Sequence, residues 1–179
     1  MNWNWLLDEF KKLLRNYDVY RRYGTKAPKG EKEVFEFYGN PADYPSPEKY
    51  WSQAEKFVFV NRDAYAHIPF LHRHGGFWAN KAIAKMLGDI FAEIAGKGLA
   101  GHVTSFDGCY NHRLTRGSSR LSLHALGAAV DINALTNPLG SKGNQDQRIV
   151  EVFEDHQWTW GGHWKSRPDP MHFAFGSWI

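Results

Sequence analysis

The chain is nearly without cysteine. Cys109 is the single one among 179 residues, so no internal disulfide forms and structural zinc sites of the Cys2His2 type are excluded. Any metal must rest mainly on histidine and carboxylate side chains. Long apolar runs are missing too, and nothing approaches the roughly 20 apolar residues of a membrane-crossing helix. The opening Met-Asn-Trp-Asn-Trp-Leu-Leu-Asp-Glu-Phe-Lys-Lys has no basic segment followed by an apolar core. Synthesis in a cytoplasm without a secretory signal is therefore expected. Charge of one sign is scarce: the formal net charge is +3. Nucleic-acid binding calls for a clustered basic stripe, so no such partner is expected. A weakly basic surface suits an anionic polymer, among many other partners. Internal repeats and low-complexity segments are absent.

What is present is ordinary, with one exception. Hydrophobic residues at 42% and charged residues at 23% are usual for a folded chain, and the length suits one domain with a real core. The exception is 16% aromatic residues, eight of them Trp. Aromatics on this scale build cores, and they also line grooves for sugars and peptides.

Apolar side chains at Trp3, Leu6, Leu7, Phe10, Leu13 and Leu14 predict an amphipathic helix over 3–16. The stretch from Tyr17 to Pro47, rich in Tyr, Gly, Pro and charge, reads as irregular. A short helix after Ser46-Pro47 and a strand through Phe57-Val58-Phe59-Val60 are expected next. Ile83, Met86, Leu87, Ile90, Phe91 and Ile94 form one stripe, which predicts a helix from Asn80 to Ile94 closed by Gly96 and Gly98. Further strands are expected around 101–106, 128–134, 158–160 and 171–175, and a helix over 146–156.

The chemistry concentrates in Ser122-Leu123-His124-Ala125-Leu126-Gly127-Ala128-Ala129-Val130-Asp131-Ile132-Asn133. On a strand, Val130 and Ile132 point one way and Ala129, Asp131 and Asn133 the other. An alanine beside Asp131 leaves room for a neighbour. Gly127 permits a positive φ or a close backbone approach, and lets His124 fold back over the same face. The segment 169–175 has the same design: Met171, Phe173 and Phe175 share one face, His172 and Ala174 the other. If the two strands lie together, His124, Asp131 and His172 offer three ligands, the number a catalytic zinc needs while keeping one place for water. Alone, each has an everyday role as a surface or core histidine or a turn aspartate.

At these residues the sequence resembles the M15 metallopeptidases, the family of D-Ala-D-Ala carboxypeptidases and phage-endolysin peptidases. The pattern Ser-x-His-x-x-Gly-x-Ala-x-Asp stands as Ser122, His124, Gly127, Ala129 and Asp131. A distant acid-x-x-His stands as Asp169 and His172. Upstream, Gly108 to Arg113 is similar to the Gly-Cys-Tyr-Asn-x-Arg stretch of one branch. The resemblance covers about Leu99 to Phe175 and implies an α+β, hedgehog/DD-peptidase-like fold with a small antiparallel sheet flanked by helices. It implies one zinc ion per chain on His124, Asp131 and His172. Asp169 stands in the place of the general base, where many members carry Glu. Arg113 resembles the arginine that stabilises the developing oxyanion, with Arg116 and Arg120 as alternative counterparts. Ser122, Asn133, His163, Trp160 and Trp164 are candidate substrate contacts. Asn133 could instead orient a ligand, His163 could compete as one, and Cys109 reads as a small buried residue. The expected division is an N-terminal helix and irregular extension at 1–50 and a peptidase domain at 51–179.

The implied partner is the peptidoglycan stem peptide, cleaved by an enzyme that phage deliver to the wall or release at lysis. L-alanyl-D-glutamate endopeptidase activity is favoured over D-alanyl-D-alanine carboxypeptidase activity. The rivals are a zinc-stabilised binding module without turnover and a structural virion protein.

Overall fold

Asn80 shows how local sequence rules assemble this molecule. Its side chain accepts a hydrogen bond from the Ala82 amide at 3.1 Å, capping the helix that follows. Its amide nitrogen donates to Leu126 O at 3.1 Å, and its backbone N–H donates to Gly127 O at 3.0 Å. One residue thus starts a helix and fastens the turn that carries His124. The architecture comes from a computed structural model, which describes residues 3–53, 55–61 and 75–179.

The elements in chain order are α1 (Trp3–Tyr23), α2 (Gly30–Tyr38), α3 (Pro47–Gln53), β1 (Phe57–Asn61), β2 (Gly76–Asn80), α4 (Lys81–Gly96), β3 (Phe106–Gly108), β4 (Ala129–Ile132), α5 (Gln147–Asp155), β5 (Thr159–Trp160) and β6 (His172–Ala174). Strands β1 and β2 form an antiparallel pair. The other four form one antiparallel sheet in the order β3-β4-β6-β5. The class is α+β, with small antiparallel sheets and helices.

The core lies between the sheet and helices α4 and α5. The expected stripe of α4, Ile83, Met86, Leu87, Ile90, Phe91 and Ile94, is wholly buried. From α5, Phe153 stacks on Phe173 of β6 with ring centroids 4.2 Å apart, and Phe173 pairs across the ladder with Val130. That face of β4 and β6 is therefore closed by hydrophobic packing. The opposite face remains for polar side chains.

Two sequence expectations need correction, and one strand was not foreseen. The segment from Tyr17 to Pro47 is not irregular: α1 runs on to Tyr23, and α2 follows. Val34 and Tyr38, four residues apart, put one face of α2 into the core, while Glu31 and Glu33 sit in its first turn. Strand β2 went unread because Gly75-Gly76 and Trp78 mask its alternation. The strand expected over 101–106 is a single 3-10 turn, Ala100–His102, with β3 starting only at Phe106. Segment 28–50 is stitched to the chain's end: Tyr38 Oη donates to Phe175 O, and Gly30 N to Ser177 O at 2.9 Å. No helix among the described residues is long and apolar enough to cross a membrane.

Candidate metal centre

Strands β4 and β6 pair so that Asp131 lies directly opposite His172 and Ala129 opposite Ala174. Residues directly opposite in an antiparallel ladder share a face. The two alanines leave that face open beside the two polar side chains. His124 arrives from the turn before β4. Leu123–Leu126 form a 3-10 turn capped by Ser122, whose Oγ accepts from His124 N at 3.3 Å. Gly127 closes it at φ 61° and ψ 30°. A β-carbon there would meet Asn80 N and the Phe57 ring at 2.8 Å. Both reasons for a glycine, the left-handed backbone and the close approach, therefore hold at this position.

The result is a triangle of ligand-type atoms. His124 Nε2 lies 3.2 Å from Asp131 Oδ1 and 3.1 Å from His172 Nδ1, and His172 Nδ1 lies 3.1 Å from Asp131 Oδ1. Among the described residues this is the group of His, Cys, Asp and Glu placed to share a cation. Both histidines are buried and Asp131 keeps slight exposure.

The donor chemistry fits a metal. His124 Nδ1 lies 2.7 Å from Cys109 O. A carbonyl only accepts, so Nδ1 carries the hydrogen and the neutral ring turns the Nε2 lone pair to the triangle. A carboxylate oxygen and a second ring nitrogen complete the set. Three such acceptor atoms at this spacing repel one another unless a hydrogen or a cation lies between them. Tetrahedral zinc with bonds of about 2.0–2.1 Å separates its ligand atoms by about 3.3 Å, close to the spacings here. Burial pushes the Asp131 carboxyl up. The neighbouring His124 and His172 outweigh it and hold Asp131 well below the usual carboxylate range.

Asp169 stands next to this group. Its carbonyl accepts from His172 N at 3.0 Å, and its N–H donates to Gly161 O at 2.9 Å. Its Oδ1 is buried without a protein partner among the described residues. Burial raises its carboxyl above the ordinary range. The charge of Asp131 adds to this, against the pull of His172, His124 and Arg113. Arg113 is half-buried, and its carbonyl accepts from Ser122 N at 3.0 Å. Arg120 lies over the Trp178 ring at 6.0 Å, and the carbonyl of exposed Arg116 receives Arg167 Nη1 at 3.4 Å.

The remaining candidates divide. Trp164 is 43% exposed, and its ring lies 5.4 Å from that of His172, so it borders the centre. Trp160 is buried and donates its indole N–H to Pro170 O at 2.8 Å, which makes it a wall behind the Asp169 segment. His163 turns to Glu154 on α5 at 2.9 Å and is not brought to the triangle. Ser122 acts as a cap. Asn133 is used up as a knot: Oδ1 accepts from Thr104 N, Thr104 Oγ1 and Ser105 N, and Nδ2 donates to His102 O and Gln145 Oε1. Its backbone, at φ 57°, leaves the strand face that alternation assigns it. Cys109 is buried as expected, and burial raises its thiol. Two contributors went unread in the sequence. The Cys109 carbonyl is backbone and leaves no side-chain signal. Asn80 signals a cap but not its second grip on Gly127.

No curated protein and no solved structure matches the chain. Residues 116–175 match the family model of M15 peptidases described as D-alanyl-D-alanine carboxypeptidase. That stretch holds the whole triangle and Asp169.

Proposed function

We propose, from the match of residues 116–175 to the M15 peptidase model, that the chain hydrolyses a peptide bond in the stem peptide of bacterial peptidoglycan with one zinc ion on His124, Asp131 and His172. The observation that carries the reading is the triangle of three ligand atoms 3.1–3.2 Å apart with the partnerless Asp169 carboxylate oxygen close by. Zinc, when bound, supplies a Lewis acid that polarises a carbonyl and brings the pKa of water down to about 7.

The chain's own residues supply the rest. Asp169 takes a proton from the attacking water at Oδ1 and passes it to the leaving nitrogen. Its raised basicity suits it to that exchange. Arg113 offers a guanidinium to the oxygen on which negative charge builds, and its fixed carbonyl ties it to the turn of His124. Trp164 flanks His172 and shields one side from water. A zinc-stabilised binding module has no use for such a base and cation together.

L-alanyl-D-glutamate cleavage is the favoured reaction, in a phage-type lysis or tail-associated enzyme. The resemblance of Gly108 to Arg113 to one branch of these peptidases supports it. D-alanyl-D-alanine carboxypeptidase action is the second reading, favoured by the description of the matching family model. Mass spectrometry of digested peptidoglycan separates them. New N-terminal D-glutamate residues are expected. Release of free D-alanine would assign the second reading, and intact stem peptides would end both.

A further inference from the structure

The first helix turns the described residues of its apolar stripe away from the core. Val19, 3% exposed, and Tyr23 hold α1 to the body, Tyr23 through its hydroxyl to Asp89 Oδ2 at 2.8 Å. Gln157 Nε2 adds a bond to Asn16 O at 3.3 Å. The opposite side carries Leu7, Phe10, Leu13, Leu14, Tyr17 and Tyr20, each between 48% and 67% exposed. Six large apolar residues on one side of one helix exceed the scattered exposure that is normal for a surface, and such patches mark contacts.

The order of these residues indicates what covers them. Leu7, Phe10, Leu14 and Tyr17 follow the alternating steps of three and four of a heptad seam, and Leu13 and Tyr20 flank it at one edge. We infer that this face is an interface with a second copy of the chain, formed by antiparallel pairing of two α1 helices. Antiparallel packing sets Leu7 against the partner's Tyr17 and Phe10 against the partner's Leu14. Every layer then joins a leucine to an aromatic ring, and the patch is its own complement, as a two-fold interface requires. The helix dipoles align favourably in the same arrangement. Each copy offers on the order of 600 Å² from these side chains. The pair thus reaches the lower end of the about 1,200–2,000 Å² that specific interfaces bury. The inference is independent of the peptidase reading.

Sedimentation of the full chain over a range of concentrations tests it. A reversible monomer–dimer equilibrium is expected. Phe10→Glu and Leu14→Glu, tested separately, should each sediment as monomer with unchanged circular dichroism. Orientation is read by crosslinking. Chains carrying Phe10→Cys should form disulfides with chains carrying Leu14→Cys, and neither should crosslink with itself; the native Cys109 is buried and stays out of the reaction. A monomer at every concentration, or a dimer that survives both glutamate variants, overturns the inference. So does a monomer that cosediments with anionic vesicles through this face. Self-crosslinking of the Phe10→Cys chain overturns the antiparallel arrangement.

Discussion

His124 and Asp169 are both half-tied, and the two free halves make the chemistry. His124 commits Nδ1–H to the Cys109 carbonyl and keeps the Nε2 lone pair for a cation. Asp169 commits its backbone on both sides and keeps a buried carboxylate oxygen unpaired. Removing that carboxylate leaves the three ligands untouched. Asp169→Ala should therefore retain its zinc, measured by atomic absorption, while kcat falls by about 10²–10⁴; undiminished turnover refutes the assigned role. The pH profile carries a second signature. A base works only when ionised, and burial raises this carboxyl. The acid limb of kcat/KM should then lie above the ordinary carboxylate range, near 4, with rate lost as pH falls through it. An acid limb at or below the ordinary range contradicts that. At this scale the sequence was highly legible. The spacing of His124, Asp131 and His172 and the alanines beside them foretold the face they share. Asn133 and His163 take partners of their own for local reasons. A left-handed backbone takes Asn133 off the strand, and Glu154 on α5, nine positions away, takes His163; neither alternation nor loop composition signals this.

Elements position the base. Asp169 is held against Gly161, where a β-carbon would stand 2.5 Å from Asp169 O and 3.1 Å from its Cβ. The contact needs a residue without a side chain, because backbone lies on the other side and cannot swing away. Gly161→Ala should displace the Asp169 segment, costing about 1–3 kcal/mol in thermal or denaturant unfolding. A shift near 1 Å at a catalytic group can cost about 10²-fold in rate, so turnover should fall far more than zinc content does. Equal loss of both would place Gly161 in the metal site rather than behind the base. Element boundaries show where sequence reading succeeds. Helix α4 and strand β4 were legible because one apolar stripe or one alternation spans each. Helix α2 and strand β2 were not. Nine residues with Val, Phe and Tyr carry little helical signal, and what fixes α2 is the distant bond from Tyr38 to Phe175 O. Helix α1 was legible as amphipathic, yet Leu7, Phe10, Leu13 and Leu14 of its stripe face outward, which periodicity cannot tell; the side chains of Trp3 and Leu6 lie outside the described residues.

For the whole molecule, the consequence lies in how the metal centre is distributed. Its three ligands come from a turn, β4 and β6, forty-eight positions apart at the extremes, so a cation there joins distant parts of the chain. The fold does not hang on that link alone, since the other face of β4 and β6 is closed by Val130 and Phe173 packed under α5. Removing metal should therefore soften the molecule without unfolding it, unlike a zinc finger. At free zinc about 1,000 times its Kd, binding stabilises the native state by about 4 kcal/mol. For a chain of this length each kcal/mol moves Tm by about 2–4 °C. A chelator should lower Tm by on the order of 10 °C while far-ultraviolet circular dichroism stays native below the transition, and added zinc should restore it. His124→Ala should start at the lower Tm and ignore both reagents. A wild-type Tm indifferent to chelator and to zinc would mean that a hydrogen rather than a metal bridges the triangle, and the peptidase reading would fall with it.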